Sequence, residues 1–391
     1  MSTRRWLGRA ATATHVSTHT VGGTAANGQV YSVTINGITV SYTATGVDTN
    51  NTIAAALQAL LAASTVTEFL ELTWTVGTNV ITATATAAAR EQVITTSATG
   101  TGTFVTATTT SASGPNRWDV AANWSGSAVP VTGDDVIIDL PVSITSGLDQ
   151  SSVTLASLTI SAAFAKPAVI GRPRTNASGY PEFRDDYLKI SATTVKIGVG
   201  DGIGSGRIKL DLGTAQSTIE IRKSASPEEQ NIPALLLKGT HASNALDVQS
   251  GSVGVAAFGG ESATLASLRT AAGSVVLCGE GCSVTTLQGE GTVQLNATVT
   301  TLTQRGGNWT VNGASNVTTL TQSAGVLNYR GSGTIATSTV GGLLDFSGDA
   351  SARTMTDTTL KAGGRIMDPQ DTVTFTNGIQ LDSAVRMVAA S

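Results

Sequence analysis

Charge is scarce in this chain. Asp, Glu, Lys and Arg make up 13% of its 391 residues, aromatic residues 4%, and the formal net charge is −4. Such a chain lacks the basic footprint of a nucleic-acid-binding protein, so no specific nucleic-acid partner is expected. Cysteine is limited to Cys278 and Cys282. With no second pair and no nearby His, Cys-Gly-Glu-Gly-Cys cannot complete a metal site. It leaves a tight disulfide or two buried thiols, the second favoured. His15 and His19 are four apart, a spacing that suits a metal only on a helix. Their Val, Thr and Ser neighbours favour a strand, where they stand about 13 Å apart. Neither metal nor cofactor is expected. No run of about 18 apolar residues offers a spanning helix, and Thr and His interrupt Ala10–Thr20 where a secretory signal needs an apolar core.

Catalytic motifs are missing as well. There is no Gly-x-Ser-x-Gly elbow and no His-Glu-x-x-His zinc pattern. Gly198–Gly206 is glycine-rich, but no Lys-Ser or Lys-Thr follows, and Asp201 alone is too little for a calcium array. It reads as a tight turn. A glycan-cleaving site needs converging carboxylates. Asp134, Asp135, Asp185, Asp186 and Asp201 are the candidates, and His241 is the one histidine of the C-terminal region. Paired carboxylates more often accept from turn amides, so no enzyme is expected.

What is present is a repeat. Leu265, Leu268, Gly273, Val275 and Leu277 form a phrase that returns as Val284, Leu287, Gly291, Val293 and Leu295, then as Val299, Leu302, Gly307, Trp309 and Val311. Val317, Leu320, Gly325, Leu327 and Tyr329 follow. Looser copies carry Val340, Gly342, Leu344 and Phe346, and then Leu360, Gly364 and Ile366, with Asp368 breaking the apolar phase. The unit has strand alternation and no helical period. It cannot bury its own apolar face and must stack on its neighbours. The expectation is a right-handed parallel β-solenoid over 141–391, roughly a dozen coils stacked about 4.8 Å apart, with loop insertions near 170–187 and 224–233.

The N-terminal part reads differently. Residues 1–20 look like a basic arm with Arg4, Arg5, Trp6 and Arg9. Residues 21–108 read as a small α+β domain. Val30–Ile35 and Ile38–Thr43 alternate around Asn36-Gly37, the strongest two-residue hairpin signal. Helix-capping candidates begin at Asp48, and Ile53, Leu57, Leu60 and Leu61 give one helical face ending near Ser64. Further strands are expected at Leu70–Val76, Asn79–Thr86, Glu91–Thr96 and Thr103–Thr108. Residues 109–140 are a linker and a cap, where Trp118 and Trp124 can cover the open end of a coil stack.

Three resemblances are carried by particular stretches. Thr20-Val-Gly-Gly-Thr, Tyr31-Ser-Val-Thr-Ile-Asn-Gly, Val40-Ser-Tyr-Thr-Ala and the helix after Asp48-Thr resemble a small domain of tailed-phage virion proteins. Ser2-Thr-Arg-Arg-Trp-Leu-Gly, with Arg174-Thr-Asn-Ala-Ser-Gly-Tyr-Pro-Glu and Leu237-Lys-Gly-Thr-His-Ala-Ser, is similar to uncharacterised proteins of phage-like gene sets. Trp118 to Asn123-Trp124, then Pro130 and Gly133-Asp-Asp-Val, resembles the opening of many solenoidal surface proteins.

The phage resemblance implies a non-enzymatic virion protein, assembled in the host cytoplasm and carried on the particle. A capsid decoration or cement protein is expected first, and a tail fibre or appendage second. A cell-surface adhesin and a glycan depolymerase are the alternatives outside that class. The expected partners are the major capsid protein and further copies of the chain, a trimer being the form considered, with no membrane. The expected interface residues are Arg4, Arg5, Trp6 and Arg9 of the arm, and Arg172, Arg174, Tyr180 and Arg184 of the charged loop. The loop 170–187 is expected to stand off the rod.

Overall fold

The computed structural model describes residues 2–175, 181–202, 204, 206–225, 232–313 and 317–382. Strands make up 52% of the described residues and helices 6%. The first strand, β1 (Thr3–Arg5), is a rung of the rod and not free chain. The polypeptide then leaves the rod to build a small domain from β2 (Val16–Gly23), β3 (Val30–Ile35), β4 (Ile38–Thr43), α1 (Asn50–Ala62), α2 (Thr67–Leu70), β5 (Leu72–Gly77), β6 (Val80–Ala85), β7 (Ile94–Ala98) and β8 (Gly102–Thr110). One antiparallel sheet has the order β5-β6-β2-β8, the other β4-β3-β7.

Local chemistry explains these elements. The β3–β4 turn puts Asn36 and Gly37 at φ +50° and +77°, as a tight hairpin turn requires. Thr49 caps α1 by accepting from the Thr52 N–H, while the Thr52 hydroxyl takes the N–H of Thr49. The helix buries Ile53, Ala54, Leu57 and Leu61. Leu60, expected on that face, is 44% exposed, and Ala54 takes its place. β2 begins inside the stretch expected as an arm. Its inward positions are Ser17, His19 and Val21, all buried, and two polar residues in three hid the apolar alternation.

After β8 the chain re-enters the rod. Ala13 bridges Ser113 and Trp6 bridges Trp124, both antiparallel, so the small domain is an insertion between the first rung strand and the rest of the solenoid. β9 (Asp135–Ile138) pairs in parallel with β1 on one side and β10 (Asp149–Ser161) on the other, and β10 pairs with β11 (Leu188–Val199). Parallel pairing then continues for about 12 turns in all.

The repeat is visible residue by residue. Leu268, Leu287, Leu302 and Leu320 stack in one column. A second runs Val276, Val293, Trp309, Leu327, Leu344 and Ile366. A third runs Cys278, Leu295, Val311 and Tyr329. The first copy therefore sits one residue away from the expected phase. Val276 and Cys278 point inward, while Val275 is 42% exposed. A one-residue slip exchanges the two faces of a strand, and Cys278 fills its core position as a small hydrophobe. Both cysteines are free and buried. Sharing a hydrogen bond with Cys282, and then burial, raises the Cys278 thiol well above its ordinary value.

The marker glycines stack too. Gly291, Gly307 and Gly325 have φ of +83°, +77° and +86°. A Cβ on Gly307 would lie 2.0 Å from the Gly291 carbonyl oxygen, and one on Gly325 would lie 2.5 Å from that of Gly307. Beside this column, Gln304 and Gln322 are buried, and Gln322 Nε2 donates to Gln304 Oε1 at 3.0 Å and to Leu343 O at 3.0 Å. Among the described residues, no helix is long and apolar enough to cross a membrane.

Candidate functional site: the junction at the closed end of the rod

Three tryptophans end the core at the N-terminal side of the rod. Trp6, Trp118 and Trp124 are all buried. The rings of Trp6 and Trp124 lie 4.9 Å apart, those of Trp118 and Trp124 4.6 Å apart, both edge to face. Trp124 Nε1 donates to Trp118 O at 2.7 Å, and Trp6 Nε1 donates to Val142 O at 3.0 Å. Asn123, inside the same phrase, ties the arm to this cluster. Its Nδ2 donates to Gly114 O and Arg117 O, each at 2.8 Å, and its Oδ1 accepts from Ala10 N at 2.7 Å. The arm residues are part of this end. Arg4 reaches Asp134 at 3.4 Å, Arg5 pairs with Asp139, and Arg9 is exposed. Trp6, expected as a contact for a partner, has no exposed surface.

The described residues of the charged loop, 170–175 and 181–187, fold back instead of standing off. Ile170 is itself a core rung, bridging Ile144 and Ile208. Arg172 pairs with Glu91 of the inserted domain, and its Nε donates to Thr145 O at 2.6 Å. Arg184 pairs with Glu71 and with Glu182, the latter at 3.2 Å, and its Nε donates to Glu91 O at 3.0 Å. Arg117 completes the set, donating to Glu91 Oε2 and bracing Asp119. Phe183 packs against the core of the inserted domain. Thus Arg172 and Arg184, expected to face another protein, have their side chains only 7% and 8% exposed and hold two parts of this one together. Arg174 stays 52% exposed, 3.9 Å over the ring of Phe258 and 3.8 Å from Glu261. Tyr180 lies outside the described residues, as do 226–231 of the second expected loop.

Glu91 is central to the junction. Burial pushes its carboxyl up, but Arg172 and then Arg117 outweigh that and hold it below the usual carboxylate range. Nothing in the local sequence marks Glu71 or Glu91 as special, so pattern reading missed both. Between the inserted domain and the rod lies a cleft of about 600 Å³, bounded by Asn36, Glu91, Arg117, Asp119, Asp149 and Phe183. Its carboxylates are occupied. Asp119 braces Arg117, and Asp149 lies below its ordinary value chiefly because the Ser151 hydroxyl and N–H donate to it.

Asp134, Asp135, Asp185 and Asp186, also considered for catalysis, are engaged in the same way. Burial raises Asp134, yet donation from the N–H groups of Ser2 and Val131 keeps its carboxyl low. Asp135 accepts from Ser157 Oγ at 2.5 Å, Asp185 pairs with Lys189 at 2.5 Å, and Asp186 pairs with Lys209 at 3.1 Å. Asp201 is exposed. Among the described residues, no group of three His, Cys, Asp or Glu is placed to hold a metal ion. His19 is in the core of the inserted domain, hydrogen-bonded to Ser17 and Thr106 at 3.1 and 2.9 Å. Comparison with known proteins finds no family model and no curated protein that matches this chain.

Proposed function

We propose that this protein is a non-enzymatic structural component of a tailed-phage particle, and within that class a capsid decoration or cement protein. The observation that carries the reading is the mount. The domain with the phage-like hairpin is inserted at the closed end of a long rod and fastened there by buried ion pairs. That design suits a part whose work is to hold a position. The carboxylates along the chain support the same reading, because each one described above as engaged serves a turn, a hydroxyl or a cation, and Glu91, Asp134 and Asp149 are held below their ordinary values, the opposite of what an acid catalyst needs. In this role the inserted domain binds the major capsid protein and the rod lies on or projects from the shell. The chain then stabilises the shell because it binds the assembled state and not its free subunits.

A tail fibre or tail appendage is the second reading, favoured by the length of the rod, about 12 turns. The test is to count copies of the chain on purified particles and to heat particles with and without it. Decoration predicts many copies, in proportion to the capsid protein, and a lower disruption temperature when the chain is missing. A few copies per particle would turn the assignment to the tail. Absence from the particle, or release of sugar from host glycans by the purified chain, would overturn it.

A further inference from the structure

The two ends of the rod are finished differently. At the first rung the outer edge is occupied, since Arg5 N donates to Ser125 Oγ at 2.9 Å and Leu7 N to Asn123 O at 2.7 Å. The tryptophan cluster closes the core beneath it. The last described rung consists of Arg365–Met367, Val373–Phe375 and Ile379–Leu381, each paired with the rung before it. Its outer edge carries no strand among the described residues. Met367, Ile379 and Leu381 are 41%, 42% and 40% exposed there. An unpaired edge flanked by apolar side chains is a ready template for another strand.

Charge says what fits that template. The turn before Arg365–Met367 carries Lys361 and ends at Arg365, and the turn after it carries Asp368 and Asp371. Lys361 is held by Asp382 at 2.9 Å, and Asp368 accepts from the N–H groups of Thr372 and Val373. Arg365 and Asp371 are exposed. One end of this strand is therefore basic and the other acidic, which is the layout a two-fold contact needs. Rotation about a two-fold axis reverses the strand, so the basic end of one copy meets the acidic end of the other, twice.

We propose that a second copy of this chain covers the open end in a tail-to-tail, two-fold contact, with Arg365–Met367 pairing antiparallel to the same strand of the other copy. In that register Arg365 stands opposite Met367 of the other copy, and its guanidinium lies toward the following turn, where Asp371 is exposed. Growth stops at two, because the occupied first rung offers no strand edge for a head-to-tail filament. The proposal does not depend on the phage reading and differs from the trimer expected from sequence.

A face one coil in cross-section falls below the ~1,200 Å² of standard interfaces, so association on the order of micromolar is expected, visible at about 100 µM chain and low salt. Sedimentation velocity on the full chain should show a dimer that dissociates on dilution. Arg365→Asp and Asp371→Arg should each weaken it at least tenfold with an unchanged circular dichroism spectrum, and the double swap should restore it. Three results would each overturn the proposal. They are a monomer at every concentration, a dimer indifferent to both reversals, and self-association that appears only after residues 383–391 are removed, which would make the chain's own end the cover.

Discussion

Glu91 accepts hydrogen bonds from two guanidinium groups at once, and removing it strands one of them. Glu91→Ala leaves Arg172 buried without its carboxylate, while Arg117 keeps Asp119. The expected loss is about 3 kcal/mol, the lower end of what breaking a buried pair costs, measured as the shift in urea midpoint. An unchanged midpoint would mean that the ion pairs do not fasten the domain. His19 provides a separate handle. Burial first, and repulsion from His15 second, bring it down to about 4 from 6.5. The unfolded chain therefore binds a proton in that window that the folded chain refuses. Stability is full above 6.5 and falls as pH drops toward 4, by up to about 3 kcal/mol. The Glu91 contribution is lost only below the ordinary carboxylate value, so the His19 loss comes first on acidification. Denaturant midpoints between pH 7.5 and 4.5 should show it, and His19→Gln should flatten the curve. At this scale the sequence revealed the cationic residues but not their use. Arg172 and Arg184 stand out in a charge-poor chain, yet Glu91 and Glu71 lie 81 and 113 residues away from them, and no local pattern links residues at such distances.

At the scale of the element, the strand Ala263–Cys278 tests the stacking most sharply, because two adjacent valines there have opposite fates. Val276 is a rung of the inner column, and Val275 faces out. Val276→Asp puts an unpaired carboxylate into the core, a loss of several kcal/mol that should abolish cooperative unfolding of the rod. Val275→Asp should stay within about 0.5 kcal/mol of the parent. The opposite ranking in a thermal melt would return the strand to the phase expected from its apolar spacing. That spacing was enough to find the coils, since Val293, Trp309, Leu327 and Leu344 align as their glycine markers imply. It was not enough to set the phase where Cys278 takes a core position. The buried Gln304 and Gln322 ladder was hidden as well, because polar residues in a core column look like solvent-facing ones until their backbone acceptors are in place.

At the scale of the whole molecule, a rod closed by tryptophans at its N-terminal side carries a domain that interrupts its first turn. The hairpin, the helix and the repeat were legible from the sequence, because each rests on short-range chemistry. The insertion was not, because it depends on β1 pairing with β9, more than 130 positions later by the register of Thr3 with Asp135. The functional account depends on this whole, with the inserted domain as the foot and the solenoid as the part that extends from it.

The most direct test is a cryo-electron microscopy reconstruction of the intact particle. The account predicts rod-shaped density repeated over the shell, with the inserted domain against the capsid protein and the rungs of the solenoid running away from that contact. Density confined to the tail, or a shell that carries none of this chain, would contradict it.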